Sequence, residues 1–175
     1  MSIAALAITG CKKDDVQPSG GNNGGINGGH IPAEASGQWL HGTFAMADYW
    51  AYDGSYLGNP FTQSVAFDFN TNGTYEMYYA GQTNNWGCIT NAFSYYKGYA
   101  VFSDSMFVVY PQQGRYRGYY SCSPQYNFDR AALTSELKVD TFYYSFQTDT
   151  NNIKWMIVKF NPTDSFPSYF KATNW

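Results

Sequence analysis

From residue 38 onward the chain alternates apolar and polar positions in short runs, each ending in turn-forming residues. A period of two puts one face of a strand in a core and leaves the other outside. Val65, Phe67 and Phe69 alternate with Ala66, Asp68 and Asn70; beyond Thr71-Asn72-Gly73, Tyr75, Met77 and Tyr79 alternate with Thr74, Glu76 and Tyr78. An Asn-Gly pair between two alternating runs is the strongest short-range hairpin signal. The same reading predicts strands over 38–46, 93–102, 105–110, 115–121, 137–147 and 153–160, and a short one over 168–173. Turns are expected at 103–104, 111–114 and 148–152, and an irregular stretch over 122–135 with one helical turn near 130–136. No ten-residue amphipathic helix interrupts the series, which argues against parallel βαβ units. The expected fold class is all-β: an antiparallel up-and-down barrel of about eight strands, because closure removes exposed edges. A two-sheet β-sandwich is the alternative.

Composition supports strands over helices. Aromatic residues form 20% of the 175 and charged residues 13%, and Tyr and Phe suit a pleated, half-buried surface. The formal net charge of −3 offers no basic patch to neutralise phosphates, so nucleic acid is not an expected partner. No apolar run approaches the roughly 20 residues of a membrane-spanning helix.

The amino terminus is organised differently. Residues 1–10 are apolar and end in small side chains, directly before Cys11 and the charged run Lys12-Lys13-Asp14-Asp15. Ile8-Thr9-Gly10-Cys11 resembles the bacterial lipobox, which implies alkylation of the Cys11 thiol by diacylglycerol and cleavage just before it. The apolar stretch is shorter than a usual secretory leader and lacks a basic start, so the true start is expected upstream. Residues 11–36 are rich in Gly, Asn, Pro and Ser, as in Gly20-Gly21-Asn22-Asn23-Gly24-Gly25, and read as a flexible tether to a domain over 37–175. The lipobox resemblance also bears on the odd cysteine count. With Cys11 committed to lipid, Cys88 and Cys122 remain as a disulfide pair, closing a loop worth roughly 4 kcal/mol in the chain-entropy picture. Two unpaired buried thiols are the other possibility. The implied location is the cell envelope, as an outer-membrane lipoprotein facing the periplasm or the cell surface.

Gly37-Gln38-Trp39 opens the first strand after the tether, and Phe67-Asp68-Phe69-Asn70-Thr71-Asn72-Gly73-Thr74-Tyr75 forms the hairpin that follows. Both resemble lipocalin-like (calycin) domains of bacterial lipoproteins, over roughly 37–171. The resemblance gives Gly37 and Trp39 structural roles, with Trp39 plugging the closed end of a barrel. Two departures stand out. Thr148-Asp149-Thr150 lacks the tyrosine of the lipocalin Thr-Asp-Tyr, and the last segment offers Lys171 where lipocalins carry an arginine over the tryptophan.

Catalytic chemistry is sparse. His30 falls in the tether and His41 on the first strand, no Gly-x-Ser-x-Gly elbow exists, and the acids are scattered over expected turns. Asp68 to Gly73 matches half of an EF-hand loop, but the twelfth position is Tyr79 rather than Glu, so no metal is expected. The expectation is a binding module rather than an enzyme, with no cofactor. Inward candidates for a small apolar or amphipathic ligand are Phe67, Phe69, Tyr75, Met77, Phe142, Tyr144 and Phe146, with Trp50 and Tyr52 at the mouth for such a ligand or a glycan. The second class of function is a structural or interaction lipoprotein with no small ligand.

Cys11→Ser is expected to move the protein from the membrane to the soluble fraction. The intact mass of membrane-extracted protein should exceed the chain from Cys11 by a diacylglyceryl group, and an uncut, lipid-free terminus would refute the anchor.

Overall fold

The computed structural model describes residues 28–43, 49–50 and 63–175. Cys11, Tyr52 and the far end of the strand expected over 38–46 lie outside them. Among the described residues are nine strands: β1 (Gly37–His41), β2 (Gln63–Phe69), β3 (Thr74–Asn85), β4 (Cys88–Phe102), β5 (Met106–Tyr120), β6 (Phe128–Ala131), β7 (Asp140–Thr148), β8 (Lys154–Lys159) and β9 (Ser168–Thr173). They form one antiparallel sheet, not two packed sheets. Eight of them close a ring in the order β1-β2-β3-β4-β5-β7-β8-β9, with β6 attached outside it on β5.

The Asn-Gly hairpin forms as the alternation predicts. Phe67 pairs with Met77 and Phe69 with Tyr75, the Asn72 side chain accepts the Thr74 backbone N–H at 3.0 Å, and Gly73 takes a φ of +86°. Gly73 also admits another piece of chain. A Cβ on it would stand 2.6 Å from the Gly28 carbonyl carbon, so a side chain here would displace the segment that leads into β1. That segment is packed. Ile31 and Ala35 are fully buried in the core, so the packed domain begins before Gly37, inside the stretch read as tether.

The largest departure from the sequence pattern is β5. Pro111-Gln112-Gln113-Gly114 reads as a turn, yet β5 runs unbroken through it for 15 residues. The register against β4 slips here: Lys97 faces Gln113 while Gly98 faces Pro111, leaving Gln112 as an extra residue. A bulge is where a strand accommodates proline and changes which residues point inward. Before it, Phe107 and Val109 face the core. After it, Tyr116 faces inward, bonded to Tyr96 through their hydroxyls at 2.7 Å, and Arg115 and Arg117 face outward. The irregular stretch contains β6, unexpected from the sequence, and two single 3-10 turns at Pro124–Tyr126 and Thr134–Glu136, the second within the expected helical turn.

The lower half of the ring is filled by interlocked rings. Phe67 lies 5.3 Å from Phe69, 5.7 Å from Phe107, 5.7 Å from Phe142 and 5.3 Å from Phe170. Phe107 stacks on Phe102 and Phe142, each at 5.0 Å. Trp39 is buried among them, its indole N–H donating to the Ala35 carbonyl at 2.8 Å. The cation over its ring is Lys154, 5.6 Å from the centroid. Lys171 sits opposite Leu40, one position away from Ala172, which faces Trp39.

A second cluster lies on the outside of β2–β4, where Tyr49 packs on Ala66, Tyr78, Ala80 and Phe93. Arg117 fixes Tyr49 and Trp50 there. Only 4% exposed, its guanidinium donates to the backbone carbonyls of both and lies 4.9 Å from the Tyr49 and Phe93 rings. Carbonyl acceptors and ring faces together offset the cost of burying its charge. Cys88 and Cys122 form a disulfide, Cα–Cα 5.4 Å, which ties the start of β4 to the residues just after β5.

Phe107→Ala, which removes a ring touched by five other aromatics, is expected to lower unfolding free energy by about 3–5 kcal/mol. Trp86→Ala, at a hairpin tip where the ring is 98% exposed, should change it by less than about 0.5 kcal/mol. Urea denaturation of both variants checks the contrast.

Candidate functional site

Two concave regions follow from the way β5 is shared. Its first residues, Met106 to Val109, pair with β7; its later residues, Arg115 to Gly118, pair with β6. Between them the ring has no strand partner on that side, and residues 132–139 cross the gap. The Ala132 N–H donates to the Gly114 carbonyl at 2.8 Å, and a Cβ on Gly114 would stand 2.8 Å from that of Ala132. The upper half of the ring is therefore walled partly by this crossing segment.

Inside this upper half lies a cavity of about 590 Å³, within the usual range for small-molecule sites. Tyr75, Met77, Val109, Phe142 and Phe160 supply apolar wall. Glu136, Lys138 and Asp140 place charge along one side, and Ser94, Tyr96 and Thr141 add hydroxyls. Burial pushes the Tyr75 and Tyr96 phenols well above their ordinary range, helped at Tyr96 by the Tyr116 hydroxyl. Both stay neutral at physiological pH, offering a hydroxyl rather than a charge. Glu136 is held by Arg130 through two bonds of 2.8 Å and accepts the Leu133 N–H at 2.7 Å. The guanidinium first and the backbone N–H second lower its carboxyl to about 2. Arg130 itself lies 5.0 Å from the Tyr116 ring, linking the crossing segment to the cavity wall.

The cavity takes only part of the sequence-derived set. Tyr75, Met77 and Phe142 line it. Phe67 and Phe69 do not: they are 1% and 0% exposed and belong to the packed lower half, where large rings leave no free volume. Tyr144 and Phe146 pack against that same core instead of the cavity. Trp50 sits on the outer wall, away from the mouth, and Tyr52 lies outside the described residues. Sequence reading missed Glu136, Lys138 and Asp140. They escaped it because Glu136 ends a 3-10 turn and Lys138 lies in the irregular link before β7, where no strand period applies.

The outer wall carries a second, open groove of about 560 Å³, lined by Trp50, Tyr95, Gln113 and Arg115 together with Asp129, Arg130 and Ala131 of β6. Burial, followed by Glu76, pushes the Tyr95 phenol up to about 12. Arg115 grips Asp129 through two bonds of 2.7 and 2.6 Å, which holds the carboxyl below its usual range.

His41 lies apart from both regions; its Nδ1 donates to the Tyr169 carbonyl at 2.9 Å and its ring packs on Phe170 at 5.4 Å. Among the described residues, no group of three His, Cys, Asp or Glu side chains is placed to hold a metal ion. No protein-family model, curated protein or solved structure matches the chain.

Glu136 sets a pH dependence. Its folded pKa is depressed, so the stabilisation from its pairing is fully present above the ordinary carboxylate value of 4.5 and is lost as pH falls towards 2. Denaturation midpoints of wild type and Glu136→Gln should therefore differ at neutral pH and converge between those values.

Proposed function

We propose that this chain is a lipocalin-like binding module of the cell envelope, anchored by lipid on Cys11, whose ring holds one small amphipathic molecule. The carrying observation is the cavity of about 590 Å³, with apolar walls from Tyr75, Met77, Val109 and Phe142 and charge confined to Glu136, Lys138 and Asp140. An apolar body gains about 25 cal/mol for each Å² it removes from water in such a chamber. A polar end gains only where partners replace its water, and the charged side of this cavity provides them. The ligand is thus a molecule with one apolar body and one polar end. The packed aromatic base supports a bounded ligand, because Phe67, Phe69 and Phe107 stop any chain from passing through the ring. Trp39 at that base, with Lys154 over its ring, supports the lipocalin-like reading of Gly37-Gln38-Trp39.

Native mass spectrometry of the protein purified from cells is expected to show a single small-molecule adduct that organic extraction removes. Extracted protein should rebind palmitate or anilinonaphthalene sulfonate at one site, and Met77→Trp, which fills the cavity, should abolish that binding with the circular dichroism of the strands unchanged. Adduct-free protein that binds neither probe would overturn the carrier reading and favour an interaction lipoprotein.

A further inference from the structure

The outer wall of the ring is independent of the cavity, and its chemistry is of another kind. The bulge at Gln112 turns Arg115 and Arg117 outward, onto the face that β3 and β4 already fill with Tyr78 and Tyr95. Tyr78, Tyr95 and Arg115 stand in one cross-strand row that ends on Ala131 of β6. Arg117, one row along, fixes the backbone of Tyr49 and Trp50 over this face. The Trp50 ring meets Tyr95 at 5.3 Å and 68°, and Tyr78 at 6.0 Å and 86°. These ring contacts and the guanidinium groups of Arg117 and Arg115, 5.4 and 6.0 Å from its centroid, hold the indole in place, and 40% of the residue stays exposed. The result is a rigid aromatic surface beside planar polar groups: Gln113, and Arg115 clamped bidentately to Asp129.

That combination has a specific use. An indole face attracts the positive edge of C–H bonds, as it attracts cations. Amide, guanidinium and carboxylate groups at a fixed height offer paired donors and acceptors suited to adjacent hydroxyls. The half-exposed Arg115–Asp129 pair, with side chains 48% and 41% exposed, is of the surface type that adds little stability. Its two charges cancel within the groove, and Arg130, which also lines it, is paired with Glu136, so each charge of the site has a partner. A pyranose meets each demand, with its axial C–H face on Trp50 and its vicinal hydroxyls on the Arg115–Asp129 pair and Gln113.

We propose that the groove of Trp50, Tyr95, Gln113, Arg115 and Asp129 is a binding site for a neutral pyranose sugar, such as a hexose or N-acetylhexosamine unit of an envelope or extracellular glycan. Trp50 supplies the stacking face, Asp129 accepts from two hydroxyls, and Arg115 and Gln113 donate to ring or hydroxyl oxygens. The site does not depend on whether the interior cavity carries a ligand.

Saturation-transfer NMR on the full chain, with glucose, galactose, mannose, N-acetylglucosamine and glucuronate as separate probes, tests this. Transfer to the C–H protons of at least one neutral sugar at millimolar concentration is expected, with glucuronate no better than the neutral sugars. Trp50→Ala should remove the signal. Because Trp50 also covers part of the outer cluster, Asp129→Asn provides a second variant that keeps the fold, and it should weaken binding about tenfold, or about 1.4 kcal/mol. Trp86→Ala, outside the groove, should bind as wild type. No transfer to any neutral sugar, preferential transfer to glucuronate, or undiminished binding in Asp129→Asn would each overturn the assignment. Loss of palmitate binding with sugar binding intact would sink the carrier reading alone.

Discussion

The structure turns on how β5 divides its pairing. One strand serves two partners, β7 at its beginning and β6 at its end, and the bulge at Gln112 lies between. The four pairs with β7 close the ring below, around rings that fill it. Above Val109 the two strands part, residues 132–139 cross the space, and the interior opens into the cavity. The same extra residue reverses the inward and outward positions of β5. Without it, Arg115 and Arg117 would face the interior beside Tyr96, and Arg117 would lose the carbonyls and ring faces that offset the burial of its charge. With it they face outward, where one grips Asp129 and the other anchors Tyr49 and Trp50.

Packing therefore divides the interior of the ring into a filled part and a hollow one. Phe67, Phe69, Phe107 and Phe170 pack ring to ring at ordinary aromatic distances and fill one part, and Phe142, which touches Phe67 and Phe107, also lines the cavity. In the other part, Tyr75, Met77, Tyr96 and Phe160 with the charged side of Glu136, Lys138 and Asp140 surround open space. β2 marks the boundary between inside and outside: Val65, Phe67 and Phe69 enter the core while Ser64 and Ala66 are buried under the outer cluster. A strand covered on both faces reads as a continuous apolar run, as β2 nearly does.

Much of this architecture was legible in the chain. Period-two alternation located β2, β3, β7 and β8, and the Asn-Gly pair placed the hairpin between the first two. Cys88 and Cys122 are joined in the disulfide that the sequence led us to expect. Gly37 adopts a φ of +111° at the entrance to β1, a conformation few other residues take. Partial legibility extended to the site. Alternation assigned Tyr75, Met77 and Phe142 to the inner face, but it could not separate them from Phe67 and Phe69, because alternation reports which face a residue occupies and not how closely its neighbours fill the space around it.

Sequence alone determined the class of the fold and the inner and outer faces of most strands, since these follow from local chemistry: side-chain period and turn residues. Tertiary structure alone decided three things. It made Pro111-Gln112-Gln113-Gly114 a bulge rather than a turn, because pairing with β4 continues on both sides of it. It drew Ile31 and Ala35 out of the glycine-rich stretch and into the core, because the base of the ring needed apolar cover. It also brought Trp50 to Arg115 and Asp129, residues more than sixty positions apart, through a buried guanidinium whose partners are backbone carbonyls and ring faces that no sequence pattern encodes.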